Sequence, residues 1–103
     1  MGQHVQAAPE VGFGTTKVAA ASLASSSLLT LLSLSSFPSG CSGFDIQVVT
    51  GTVYWDNNGS AATANSRVLS ADQTLEYPNS PEILKNLRVF ADAAFDIRIT
   101  LKG

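Results

Sequence analysis

A chain of 103 residues, 45% hydrophobic and only 14% charged, makes one domain with a modest core and a surface well below the usual charged share of about a quarter. The formal net charge of −2, with six Lys and Arg residues spread singly, excludes a clustered basic face for nucleic-acid phosphates. A single cysteine, Cys41, excludes an intrachain disulfide.

Residues 1–16 carry no hydrophobic period. Pro9, Gly12, Gly14, Thr15 and Thr16 mark irregular backbone, and Gln3, His4, Val5 and Gln6 offer little to a core. An extended N-terminal arm is expected here, gripping a neighbouring subunit on assembly through Val5, Val11 and Phe13. Gly2 does not open a myristoylation motif, because Gln6 stands where Ser or Thr is required.

Lys17 to Ala21 predicts a short first strand. Val18 to Gly40 is uncharged, and Pro38-Ser-Gly-Cys41 is similar to the end of a lipoprotein signal. Its many serines are too polar for a membrane span of about 20 residues. No basic stretch precedes it, and Pro38 occupies the position of the motif's leucine, so neither a cleaved signal nor a membrane contact is expected. Within it, Ser27 to Leu34 places Leu28, Thr30, Leu32 and Leu34 on one parity and Leu29, Leu31 and Ser33 on the other. That predicts a strand apolar on both faces, inside a sandwich or at a subunit seam, with Leu29 and Leu31 as interface residues. A helix over Val18 to Leu34 competes, since Ala and Leu are good helix formers. The clustered Ser and Thr favour strand.

After a turn at Pro38-Ser-Gly40, Phe44, Ile46 and Val48 alternate with Asp45 and Gln47 in a strand over Gly43 to Val49. Thr50-Gly51 reads as a tight connection and Thr52 to Trp55 as the hairpin partner. Asn58-Gly59 favours a turn with positive φ. A polar loop over Ser60 to Arg67 leads to short strands at Val68-Leu69 and at Thr74 to Tyr77. Ser80-Pro-Glu-Ile-Leu84 has a capping serine, proline at the first helical position and an early glutamate, which predicts one helical turn. Leu87, Val89 and Ala91 then alternate with Arg88 and Phe90. Asp92-Ala-Ala94 reads as a hairpin turn into a last strand, Phe95 to Leu101.

The expected inward faces are Phe44, Ile46, Val48, Val53, Trp55, Leu87, Val89, Phe95, Ile97 and Ile99. Short strands at near-regular spacing give an all-β fold, a small antiparallel β-sandwich or barrel over residues 17–103 with residues 1–16 as its extended arm.

Chemistry is sparse. The only histidine, His4, lies in the arm, so no Ser-His-Asp set assembles. Gly12-Phe-Gly14 opens no strand-loop-helix unit for phosphate. Asp56-Asn-Asn58 lacks the spacing and glutamate of a calcium loop. Cys41 belongs to no metal-ligand pattern and reads as a turn residue. No catalytic residue, metal or cofactor is expected. Tyr54 and Trp55 must face opposite ways in a strand. Trp55 beside Val53 fits the core, and Tyr54 on the outer face is an interface or sugar-binding candidate.

The segments Gly51-Thr-Val-Tyr-Trp-Asp-Asn-Asn-Gly-Ser60 and Ala62-Thr-Ala-Asn-Ser-Arg-Val-Leu-Ser-Ala-Asp-Gln-Thr-Leu75, followed by Leu87-Arg-Val-Phe-Ala91 and the final alternating run, resemble small β-rich virion proteins of tailed bacteriophages. Those proteins carry a "G-x-V-x-W/Y-D…G" strand, a "T-A…G-x-x-L-x-A-G-E-x-L" segment and a "L-R-F/V-I/F-A" strand. The resemblance spans roughly residues 27 to 103, and "A-G-E" is replaced here by Ala71-Asp-Gln73. It implies a non-enzymatic capsid decoration or cement protein on the virion surface, bound to the major capsid protein. A homo-oligomer, with a trimer favoured, is expected. A head-tail junction or tail protein, and a carbohydrate-binding domain on a fibre, are the alternatives.

Overall fold

Alternation builds both layers. The computed structural model describes residues 12–103. Its strands are β1 (Gly12–Ala20), β2 (Leu23–Ser27), β3 (Gly43–Thr50), β4 (Thr52–Asp56), β5 (Arg67–Ser70), β6 (Thr74–Tyr77), β7 (Arg88–Ala91) and β8 (Phe95–Lys102). Two short helices, α1 (Leu28–Leu32) and α2 (Pro81–Asn86), lie in the connections. In β8 every odd position from Phe95 to Leu101 is buried and every even one is not. All the residues expected to face inward are buried, Trp55 included at 7% exposed. Leu28, Leu69, Leu84, Ala91 and Leu101 complete the core.

The strands form two four-stranded antiparallel sheets, in the orders β1-β8-β3-β6 and β2-β7-β4-β5. Each strand of the first sheet therefore has a sequence neighbour at the same position in the second. The links after β1, β3, β5 and β7 all arch between sheets at one end, as the register of Ala20 with Phe95, Thr50 with Asp96 and Gln47 with Thr74 requires. This is a two-sheet sandwich with the eight-strand, two-Greek-key connectivity of a jelly roll.

That corrects the two hairpins expected at Thr50-Gly51 and Asp92–Ala94. Period two says which face of a strand is apolar, but not whether its successor lies beside it or across from it. An arch sets Phe44, Ile46 and Val48 across the core from Val53 and Trp55. Gly51 makes it with φ of 83°, in contact with the neighbouring β7–β8 arch. A Cβ on Gly51 would stand 2.5 Å from the Ala94 carbonyl oxygen.

The strand expected over Ser27 to Leu34 is instead the end of β2 followed by α1. The serines read as strand-favouring are its caps. Ser27 Oγ accepts a hydrogen bond from the Thr30 N–H at 3.3 Å. Ser33 takes the left-handed conformation at φ 56°, where its N–H reaches the Thr30 carbonyl and the Leu34 N–H reaches that of Leu29. Between those caps Leu28, Leu29, Leu31 and Leu32 follow helical propensity. Leu28 is fully buried, and Leu31 and Leu32 pack against the core from outside. Replacing Ser27 by alanine is expected to cost about 0.5–2 kcal/mol, read as a lowered denaturation midpoint. Ser80-Pro-Glu-Ile-Leu84 does form its helical turn, extended to Asn86, with Pro81 at the first position and Leu84 buried, but Ser80 makes no side-chain cap and its hydroxyl donates to the Pro78 carbonyl instead.

The first strand begins at Gly12 rather than Lys17, so residues 12–16 belong to the sheet and not to an arm. Gly12 is in register with Lys102 and Thr15 with Thr100, leaving Phe13 and Gly14 opposite Leu101. Gly14, at φ 88°, makes the β-bulge that turns Phe13 onto the core. Gly14, which reads as irregular backbone, is thus the bulge that lets pairing continue. Residues 1–11, with Val5 and Val11, lie outside the described residues.

Candidate interaction surfaces

The two outer faces of the sandwich differ in chemistry. On the first sheet, Lys102 Nζ lies 3.0 Å from Asp45 and 2.9 Å from Glu76, and Asp96 meets Arg98 directly and Lys17 at 3.8 Å. These carboxylates sit inside ion pairs, on a mostly polar face whose large exposed apolar group is Val49, 38% exposed near the end of β3. The second sheet places Val68, Tyr54 and Phe90 in register across β5, β4 and β7. The Tyr54 and Phe90 rings pack at 6.1 Å with a 46° tilt, and Val68 is 55% exposed. This apolar row has Arg88 and Asp56 in register beside it. Tyr54, a predicted site residue, is therefore on the outer face as expected. Its partners Phe90 and Val68 went unseen because only the pairing of three distant segments aligns them.

Behind the row, Trp55 is tied to the first sheet. Tyr77 meets its indole edge-on at 6.0 Å and Phe44 at 5.7 Å, while its hydroxyl accepts a hydrogen bond from Asn57 Nδ2 at 3.2 Å. Arg67 closes the edge, its guanidinium 5.1 Å from the Trp55 ring centre.

A second surface is a cleft of about 160 Å³ between the β1 edge and the chain following α1. Phe13 and Thr16 of β1, Leu32 at the end of α1, Leu34 and Pro38 beyond it, and Ile99 and Leu101 of β8 line it. Of the predicted interface residues, Phe13 lines this cleft. Leu29 and Leu31 sit half-buried on α1 and do not line it, because the helix turns Leu32 there instead. Tyr54 lies on the other sheet, so the predicted residues form no single patch. Leu34, 38% exposed at the rim, lies beyond the helix and not in the strand that period two predicts, which carries no signal for this placement.

Reactive chemistry is thin among the described residues. No group of His, Cys, Asp and Glu side chains is arranged to hold a metal ion. Cys41 is half-buried, its Sγ 3.7 Å from the Gly43 carbonyl oxygen. Asp56 accepts the Ser66 hydroxyl, and Asn58 closes its own turn by accepting the Ser60 N–H at 3.0 Å. Among the described residues no helix is long and apolar enough to cross a membrane. Compared with family models, with curated proteins and with solved structures, the chain finds no match.

Proposed function

We propose that this protein is a structural component of a tailed-phage virion, a decoration or cement protein that bridges major capsid subunits. The observation that carries the reading is the Val68–Tyr54–Phe90 row, an apolar and aromatic surface on one outer sheet face of a charge-poor sandwich. Tyr and other aromatics are favoured at the centres of protein interfaces. The flanking Arg88 and Asp56 would form the polar rim. A two-Greek-key sandwich is also a recurrent architecture of viral shells, an argument from analogy that adds weight without identifying a partner. The mechanism is mechanical. Each copy adds buried area across a seam, and symmetry repeats it over the shell. Assembly as a homo-trimer belongs to the same proposal.

The aromatic pair also favours a second reading, a carbohydrate-binding domain on a fibre, since rings on an open sheet face can stack on sugars. Purified particles separate the readings. A band stoichiometry approaching one copy per major capsid subunit is expected for decoration. A handful of copies per particle would place the protein at the head-tail junction, tail or fibre and overturn the cement role.

A further inference from the structure

Among the described residues no strand pairs with the outer edge of β1. Thr16, Val18 and Ala20 have inward parity, in register with Ile99, Ile97 and Phe95. Yet Thr16 and Ala20 remain exposed and Val18 only half-buried. The cause lies across the sandwich, where β2 runs for only five residues before the chain turns into α1. At nine residues β1 is also the longest edge strand described, against five in β2 and four each in β5 and β6. One side of it pairs with β8, and the other presents backbone N–H and C=O groups without a strand partner among the described residues. An edge of this kind, with an apolar cleft directly beneath it, has the two parts of a strand-addition site: main-chain groups for affinity and a pocket for one side chain.

The chain itself holds a segment that fits. Eleven residues precede Gly12, which sits on the last rung of its sheet opposite Lys102. The strand direction at Gly12 points past the end of its own sheet, not back along its own edge. Eleven residues reach at most about 36–40 Å, against a longest dimension of 36 Å for the molecule. That is enough to cross to a touching neighbour and run along part of its β1. The segment carries Val5 and Val11 for a pocket of this volume, and one acidic side chain, Glu10, opposite in sign to the exposed Lys17 of β1.

We infer that residues 1–11 of one copy add as a strand to the β1 edge of a second copy, seating a valine between Phe13, Leu32 and Leu34. The inference rests on the assembly reading only in taking the partner to be another copy, and it needs no capsid. Its test therefore stands apart from particle stoichiometry.

Sedimentation over a concentration series compares the full chain, a form lacking residues 1–11, and Leu34→Asp. Leu34 is partly exposed at the rim, and Thr16→Lys serves as a second edge variant should Leu34→Asp fail to fold. The full chain is expected to self-associate, and the variants to sediment as single chains. A labelled peptide of residues 1–11 should bind the truncated protein saturably, and its Leu34→Asp counterpart about tenfold more weakly. A single-copy full chain whose truncated form still takes up the peptide would mean that the segment covers its own edge, which overturns the exchange. A peptide that does not bind, or association that persists in both variants, would overturn the site.

Discussion

Gly51→Ala is expected to lower the stability of the isolated domain by roughly 2–6 kcal/mol, the sum of a strained backbone and a forced contact. Two independent costs meet there. Gly51 has φ of 83°, where an L side chain is strained. Its added Cβ would also press on backbone, 2.5 Å from the Ala94 carbonyl oxygen and 2.9 Å from Phe95 Cα. Neither can yield without parting the β3–β4 arch from the β7–β8 arch that stacks on it. Gly59 is the control. It has nearly the same φ, 85°, but its nearest neighbour would be a side-chain atom of Asn86 at 3.8 Å. Gly59→Ala should lose only the conformational part, about 1–2 kcal/mol. Urea denaturation with an unchanged slope measures both. Equal losses would mean that the two arches do not touch.

The same glycine shows where sequence reasoning stopped. Phe44 to Val48 and Phe95 to Leu101 declared their faces through alternation, and those faces are the core. Sheet membership was not legible, because Thr50-Gly51 permits a hairpin and an arch alike. What selects the arch is the long-range pairing of β3 with β8 and of β4 with β7. Local and tertiary preference also parted at Leu28–Leu32. Its leucines satisfy either period, and the deciding signal was the position of Ser27 and Ser33 as caps rather than their number. For the surfaces, Tyr54 could be placed outward by parity with Trp55. Phe13 could be singled out as an aromatic in a glycine-rich stretch. Thr16, Leu34 and Ile99 could not be grouped with it, since the Gly14 bulge and the turn after α1 bring them together across most of the chain.

The parity assignment itself makes the other large prediction. Ile97 is fully buried and lies between Val18 of β1 and Val48 of β3. Ile97→Ala should cost roughly 2–5 kcal/mol, combining lost transfer energy with the cavity left in a sheet interior that cannot collapse far. One residue on, Arg98 faces outward. Its guanidinium pairs with Asp96, which Lys17 also approaches, and its side chain keeps 32% of its exposure. An ion pair so open to water contributes little, so Arg98→Ala should cost no more than about 0.5–1 kcal/mol. Equilibrium denaturation of the two variants reads the contrast directly, and similar losses would mean that the faces are wrongly assigned. The pair also probes the outer sheet in assembly. Under the proposed cement role, an Arg98→Ala protein that folds normally but is lost from purified particles would place the charged face, rather than the Tyr54 row, against the capsid.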